Sequence, residues 1–292
     1  TRLPRDEFDV HAVALTRGGP YEAVLREHGV PLTVLEKRWK FDLRTLSRLR
    51  RLLGEIDPDI LHTWLFAANA YGRLVAGKGQ RPKVVVSEQC VDTWKSRWQT
   101  WLDRRQIVRT ARLVGNSRAV ADFYRGLGFP EERISIVLNG VEIPPAGGNE
   151  RADVRTELHL PADARLVGYV GRLAKQKRTN DLVWGFQLLR QLTGNVHFLV
   201  VGDGPERESM VELAKHMGCH HLMKFLGHRE DALRLVGAMD AVWLASEFEG
   251  MSNSLTEAMA AGVPVVASDI PPNRELVIDG ETGFLVKLGD CV

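Results

Sequence analysis

From near its start to near its end, the chain alternates between short apolar runs and stretches with a helical apolar period. Strands are expected over 10–15, 31–35, 58–62, 83–87, 113–117 and 134–138, and again over 165–170, 196–202, 223–226, 240–245 and 264–267. Helices are expected between them, over 21–28, 41–54, 67–76, 119–127, 152–158, 207–217 and from about 254 onward. In the second of these, Leu43, Leu46, Leu49, Leu52 and Leu53 recur on one face. Gly29, Gly128 and Gly262 supply helix stops, because glycine takes the left-handed conformation that ends a helix. Parallel neighbours cannot be joined by a tight hairpin, and an intervening helix provides the crossover they need. The pattern therefore points to an α/β fold of doubly wound parallel sheets.

A length of 292 residues suggests two domains. The run Pro144-Pro-Ala-Gly-Gly-Asn reads as a linker, which divides the chain into 1–143 and 144–292. Hydrophobic residues at 44% and charged residues at 26% fit a soluble globular chain. No apolar run approaches the roughly 18 residues of a membrane span, and no signal peptide is read at the start. Cys90, Cys219 and Cys291 are odd in number and widely spaced, which suggests reduced thiols in a cytoplasmic protein and no metal-binding pattern. The net charge of +2 hides an asymmetry: residues 1–150 carry 24 Lys and Arg against 18 Asp and Glu, and residues 151–292 carry 15 against 19. The basic half suits an anionic acceptor, a membrane surface, or simply solvent.

The segment 245–266, ASEFEGMSNSLTEAMAAGVPVV, holds the densest chemistry. A buried strand leads into Ser246-Glu-Phe-Glu-Gly-Met-Ser, and a helix follows with Ser252 or Asn253 as N-cap and Leu255, Met259 and Ala260 facing inward. Ligands of open parallel sheets sit beyond the carboxyl ends of strands. The unpaired N–H groups at the start of this helix suit a phosphate. Glu249 and Glu257 flank the helix start, and Gly250 would let a ligand approach the backbone. Taken singly, either carboxylate could be ordinary helix-start decoration. A second cluster follows the strand over 165–170, where Gly171-Arg172-Leu173 leads to Lys175-Gln-Lys177. Two fixed cations there could stabilise a departing diphosphate as it gains charge.

These two stretches resemble the retaining GT-B glycosyltransferases of family four, whose hallmark is two Glu separated by seven residues, in the frame EG…S…E…A.G.PV. The resemblance runs through nearly the whole chain, with Asn116-Ser117, Asn139-Gly140-Val141 and Val201-Gly202-Asp203-Gly204-Pro205 at family turns. It implies two Rossmann-like domains facing a cleft, with acceptor side first and nucleotide-sugar side second. It implies that Glu249 meets the donor sugar's hydroxyls, that Glu257 grips the ribose, and that Arg172 and Lys177 bind the diphosphate. The donor would be further lined by Gly204, by Gly227, His228 and Arg229 at the nucleobase, and by Gly250, Met251, Ser252, Asn253, Ser254 and Leu255. Relatives carry glycine after the Lys, where this chain has Arg178, so a reshaped loop is expected. Relatives often carry His-x-His at the end of the strand over 58–62. Here the second position is Trp64, so His62 either takes the sugar-facing role or is structural, with Asn69 and Glu88 as weaker candidates. The family also begins with a strand, a Gly-rich loop and a helix before Leu3, and continues past Val292 with further helices. The chain is thus expected to be incomplete at both ends.

The activity implied is transfer of a sugar from a UDP- or GDP-linked donor to a hydroxyl of a glycan or lipid-linked acceptor, with retention and in the cytoplasm or at the inner face of the cell membrane. No nucleic-acid partner is expected. Asp57-Pro-Asp59 has DxD spacing but precedes a strand of the first domain, so no metal and no other cofactor is expected. The rivals are a sugar-nucleotide 2-epimerase on the same fold and a non-catalytic sugar-binding protein. One stretch remains open. Trp94, Trp98 and Trp101 share a helical face, with Lys95, Arg97, Arg104, Arg105, Arg109 and Arg112 around them and Asp103 as the single acid. They read either as a core-facing stripe or as a surface for a lipid-linked or anionic acceptor.

Overall fold

In a computed structural model, which describes residues 3–76, 81–143 and 150–290, the alternation in the sequence becomes open α/β sheets. Residues 1–2 of the opening loop, the linker at 144–149 and Cys291 lie outside the described residues. The chain forms two compact units. The first comprises the described residues up to Glu88 with Lys95–Val114 and Arg125–Ser135. The second comprises Gln89–Trp94, Gly115–Tyr124 and the described residues from Ile136 onward.

The first part of the chain runs β1 (Ala12–Ala14), α1 (Glu22–Glu27), β2 (Leu32–Val34), α2 (Leu43–Ile56), β3 (Ile60–Trp64), α3 (Leu65–Ala76), β4 (Lys83–Glu88), α4 (Arg97–Gln106), β5 (Arg112–Gly115), α5 (Arg118–Gly126) and β6 (Ile134–Ile136). β1 and β2 pair in parallel, and β3 to β6 form a four-stranded sheet in sequence order. The apolar face of α2 buries Leu49 and Leu53 against Leu35 and Tyr71. That helix starts two residues later than the apolar period suggests. Asp42 is its N-cap and accepts from the N–H groups of Arg44 at 3.0 Å and Thr45 at 3.2 Å, which leaves Phe41 outside.

α4 departs most from expectation. Trp94 precedes the helix, and Arg112 belongs to β5. Its buried positions are Asp103 and Gln106, whereas Trp98 and Trp101 are exposed, so the aromatic residues are not a core-facing stripe. Lys95, expected on a solvated face, is buried. Its ammonium lies 2.8 Å from Asp103 and 3.7 Å from Glu88, and Arg73 lies 3.1 Å from Asp103 and 3.9 Å from Glu88. Two carboxylates and two cations thus compensate one another in the interior, and this pairing sets the rotational phase of α4.

The second part runs α6 (Glu150–Glu157), β7 (Arg165–Val170), α7 (Thr179–Leu192), β8 (Val196–Val201), α8 (Arg207–His216), β9 (Met223–Gly227), α9 (Ala232–Gly237), β10 (Ala241–Leu244), α10 (Asn253–Ala260), β11 (Val265–Ser268), α11 (Pro271–Arg274) and β12 (Gly283–Val286). Its six strands are parallel throughout and lie in the order β12-β11-β10-β7-β8-β9. Leu166, Tyr169, Phe186, Phe198, Met210 and Leu255 are among the residues filling its core. The order places a topological switch between β7 and β10. From β7 the chain steps outward to β8 and β9, then returns to lay β10 on the other side of β7. Crossovers on the two sides diverge there, which opens a crevice beyond the carboxyl ends of those two strands.

Candidate functional site

The loops that leave β7 and β10 carry both motifs singled out in the sequence, and the fold brings them together at the switch point. Lys177 of the first loop forms an ion pair and hydrogen bond with Glu249 of the second. Two further bonds tie the loops: Glu247 N–H donates to the Gln176 carbonyl at 2.8 Å, and the Gln176 amide donates to the Phe248 carbonyl at 3.0 Å. Arg172 is exposed on the same loop, and its guanidinium has no partner among the described residues. The buried Tyr169 hydroxyl donates to the Arg172 carbonyl at 2.8 Å and fixes the start of the loop. Burial, followed by the charge of Glu249, pushes the Tyr169 phenol above its usual range, so it remains a proton donor.

The loop after β8 packs beside them. A side chain on Gly204 would come within 2.2 Å of the Leu173 carbonyl, and one on Gly202 within 1.9 Å of the Gly171 carbonyl. Both glycines also have positive φ, at +158° and +132°. They are therefore required for the close approach of two backbones, which is the evident role of Gly204 here. Arg178 takes the left-handed conformation, with φ of 46°, in which glycine is usual. The loop thus keeps a glycine-like path, and Arg178 instead bonds Asp181 at 2.6 Å.

α10 begins at Asn253 with Ser252 as N-cap, but Ser252 makes no capping bond; its hydroxyl lies 3.1 Å from that of Ser254. The first intrahelical bond is Thr256 N–H to the Ser252 carbonyl, so the N–H groups of Asn253, Ser254 and Leu255 precede it. The helix packs through Leu255 and Ala258, with Met259 and Ala260 only half-buried. Glu257 is half-buried one turn along, and its carboxylate has no partner among the described residues. Burial raises its pKa above the usual carboxylate value. Glu249, by contrast, is buried and paired.

Several sequence expectations change. Gly250 does not open the backbone to a ligand. A Cβ there would meet the Gln89 carbonyl at 2.1 Å and Asn116 Oδ1 at 2.6 Å, so its open side is filled by protein. The adjacent Glu249 carbonyl accepts from Val91 N–H at 2.9 Å, and Cys90 bridges Gly250. Met251 and Asn253 are held from Asn139, whose N–H lies 3.2 Å from Met251 Sδ and whose amide donates to Asn253 at 2.8 Å. Gly227 has its carbonyl bonded to Gly202 N–H at 2.7 Å, and His228 is exposed. The Arg229 side chain is committed to a salt-bridge cluster with Asp231, Glu157 and Arg234, which leaves only its backbone for a nucleobase.

His62 belongs to the first unit and lies within β3, which extends to Trp64, so it does not end its strand. Its Nε2 lies 2.7 Å from Ser87 Oγ, and its ring stacks on Trp64 at 3.8 Å. Partial burial lowers its pKa, so the neutral ring prevails at pH 7. Asn69 and Glu88 bond each other at 2.9 Å inside the same unit, which makes both structural there. Asp57 ends α2 in a left-handed turn and Asp59 pairs with Arg81. The supports that sequence reasoning missed are Tyr169, Gln176 and Gln89, together with the contacts made by Asn116 and Asn139. The only signal for the last two was the Asn-Ser and Asn-Gly-Val turns.

A six-stranded parallel sheet with paired charged loops at its switch point, preceded by a second α/β unit, is the make-up of the GT-B fold. The solved structure of Anabaena HepE in complex with UDP-glucose superposes with a TM-score of 0.84 over 96% of this chain and 78% of that one, at 23% identity. Residues 1–143 match the family model described as Glycosyltransferase Family 4, and residues 150–290 match that of Glycosyl transferases group 1. The chain therefore belongs to the group 1, family 4 glycosyltransferases. It is 25% identical to the N-acetyl-alpha-D-glucosaminyl L-malate synthase of Bacillus anthracis, over 86% of this chain and 67% of that protein. It is 27% identical to the GDP-mannose-dependent alpha-mannosyltransferase of Mycobacterium tuberculosis, over 91% of this chain and 70% of that protein.

Proposed function

We propose that the protein transfers a hexosyl or N-acetylhexosaminyl unit from a UDP- or GDP-linked sugar to a hydroxyl of a glycan or lipid-linked acceptor, with retention of anomeric configuration and without a metal. The observation that carries this reading is the Lys177–Glu249 contact at the switch point, which joins a diphosphate motif to a sugar motif. In the free protein each neutralises the other. When a donor arrives, its diphosphate offers Lys177 a stronger anion, and Glu249 is released toward the sugar hydroxyls. Arg172 and Lys177 then stabilise the charge that grows on the leaving diphosphate, which is the electrostatic work a metal would otherwise do. The N–H groups at the start of α10 face the phosphates, and Glu257 accepts from the ribose hydroxyls. The departing diphosphate oxygen takes the acceptor's proton on the face it leaves, so no separate nucleophile–base pair is needed. His62, bonded to Ser87 and stacked on Trp64, either takes the sugar-facing role as a neutral ring or is structural.

The complexes with UDP-glucose and the mannosyl and N-acetylglucosaminyl names among the relatives support this donor range. Those transferase names also disfavour the epimerase. The test is single-turnover reaction with UDP-glucose, UDP-N-acetylglucosamine and GDP-mannose, with acceptor hydroxyl compounds and excess EDTA, read by NMR for product configuration. Transfer with retention that persists in EDTA is expected. An inverted product, loss of rate in EDTA restored by manganese, or isomerisation of the donor without an acceptor would each overturn the reading.

A further inference from the structure

The peptide groups on either side of Glu249 are both held by other parts of the second unit. The group before it carries the Phe248 carbonyl, which accepts from the Gln176 side-chain amide at 3.0 Å. The group after it carries the Glu249 carbonyl, which accepts from Val91 N–H at 2.9 Å. Peptide groups are planar, so bonds to these two carbonyls restrain the backbone angles at the Cα between them. The direction in which the Glu249 side chain leaves the backbone is restrained as well. Lys177 holds only the far end of that side chain, at the carboxylate.

The Val91 side of this clamp has an anchor of its own. The Val91 carbonyl accepts from Thr93 N–H at 2.8 Å, which closes a three-residue turn centred on Asp92. Asp92 is buried, where a carboxylate is unfavourable unless its oxygens are bonded. Its Oδ2 accepts from the Tyr124 hydroxyl at 2.6 Å, and its Oδ1 accepts from the Trp94 indole N–H at 2.9 Å. Tyr124 is fully buried on α5, so the turn is pinned to a packed helix.

We propose that Asp92, Tyr124 and Gln176 are positioning residues that aim the Glu249 carboxylate at the reacting sugar. The inference rests on the proposed role of Glu249 as the sugar-facing carboxylate. On donor binding, Glu249 exchanges Lys177 for sugar hydroxyls. The clamp keeps its backbone in place through that exchange, so the carboxylate meets the sugar already oriented. The polar groups of Asp92, Tyr124 and Gln176 are bonded to protein partners, so their loss falls on the rate and spares nucleotide affinity.

The test is single-turnover reaction of the whole protein with saturating UDP-glucose, UDP-N-acetylglucosamine or GDP-mannose, in the wild-type and Glu249→Gln backgrounds. Tyr124→Phe removes one hydroxyl and Gln176→Met one amide, each with little change of shape. Each should slow wild-type transfer about fivefold or more, leave UDP affinity within about twofold, and slow Glu249→Gln by less than about twofold. Tyr124→Phe should also speed hydrogen exchange at the Val91 amide about fivefold or more, read by NMR. Equal slowing in both backgrounds would overturn the inference, because the residues would then act through the fold and not through Glu249. So would wild-type rates in both single variants, or a Val91 amide whose exchange Tyr124→Phe leaves unchanged. A wild-type rate for Glu249→Gln alone would instead overturn the donor-site reading, which keeps the two failures distinct.

Discussion

Replacing Glu257 with Gln tests the proposed binding role of this carboxylate apart from its cost to folding. The side chain is half-buried, has no partner among the described residues, and burial raises its pKa. A carboxylate offers two charged acceptor oxygens to the ribose diol, whereas Gln offers one neutral oxygen. Losing the charge and one acceptor should weaken UDP or GDP binding by about 1.5–3 kcal/mol, roughly 10- to 150-fold in Kd. Titration calorimetry at pH 8 measures this directly. Because the folded pKa lies above the ordinary value, the wild-type carboxylate gains its proton at a higher pH than a free Glu would. Wild-type affinity should therefore fall on acidification and approach that of Glu257→Gln. The same shift has a stability consequence of fixed sign. A raised folded pKa contributes stability that is present below the unfolded value, about 4.3, and is lost as pH rises through the folded value. At neutral pH the wild type carries an uncompensated half-buried charge that the Gln variant lacks. The nucleotide-free variant should then unfold at a Tm equal to or above that of wild type at pH 7, with the difference shrinking toward pH 4. Affinity within twofold of wild type at pH 8, or a deficit unchanged at pH 4.5, would refute the reasoning.

Glu249→Gln frees Lys177 from its competing anion, so nucleotide affinity should stay the same or tighten, yet single-turnover transfer should slow at least about tenfold, roughly 1.4 kcal/mol, because on the proposed reading the charge acts on a sugar ring that turns cationic; a wild-type rate would remove Glu249 from the chemistry. Gly250→Ala should lower stability by about 1–3 kcal/mol in urea melts, because its Cβ would lie 2.1 Å from the Gln89 carbonyl; an unchanged midpoint would show that the Gln89 segment yields. Asp103→Ala should cost about 3–5 kcal/mol by removing a buried carboxylate from Arg73 and Lys95, and a loss below about 1 kcal/mol would mean that the cluster does not hold α4.

The alternation of strands and helices, and the two motifs at the switch point, were legible because each depends on short-range pattern. Lys177 and Glu249 could be named from sequence, but not their contact, which needs the strand order that sets β10 beside β7. Gly250 was misread for a similar reason: the chain that fills its open side comes from Gln89 and Asn116, far away in sequence. The phase of α4 was hidden because apolar periodicity reports a core-facing stripe, and here buried ions choose the inward face. Helix Thr179–Leu192 is blurred in the sequence by Trp184 and Leu192, both exposed. Arg178 takes the left-handed conformation at the expense of local strain, which a residue type other than glycine gave no reason to expect.

The wall behind Gly250 bears on how such enzymes can be recombined. Gln89–Trp94 and Gly115–Tyr124 group with the second unit, and Val91 bonds the backbone of Glu249 itself. A chimera spliced at residues 144–149 would import a foreign version of these two segments and set it against a native donor loop. Exchanging the first half to obtain a new acceptor would then alter sugar handling as well, unless both segments travel with the second half. On the proposed reading, the unit of inheritance for donor chemistry in this chain is discontinuous.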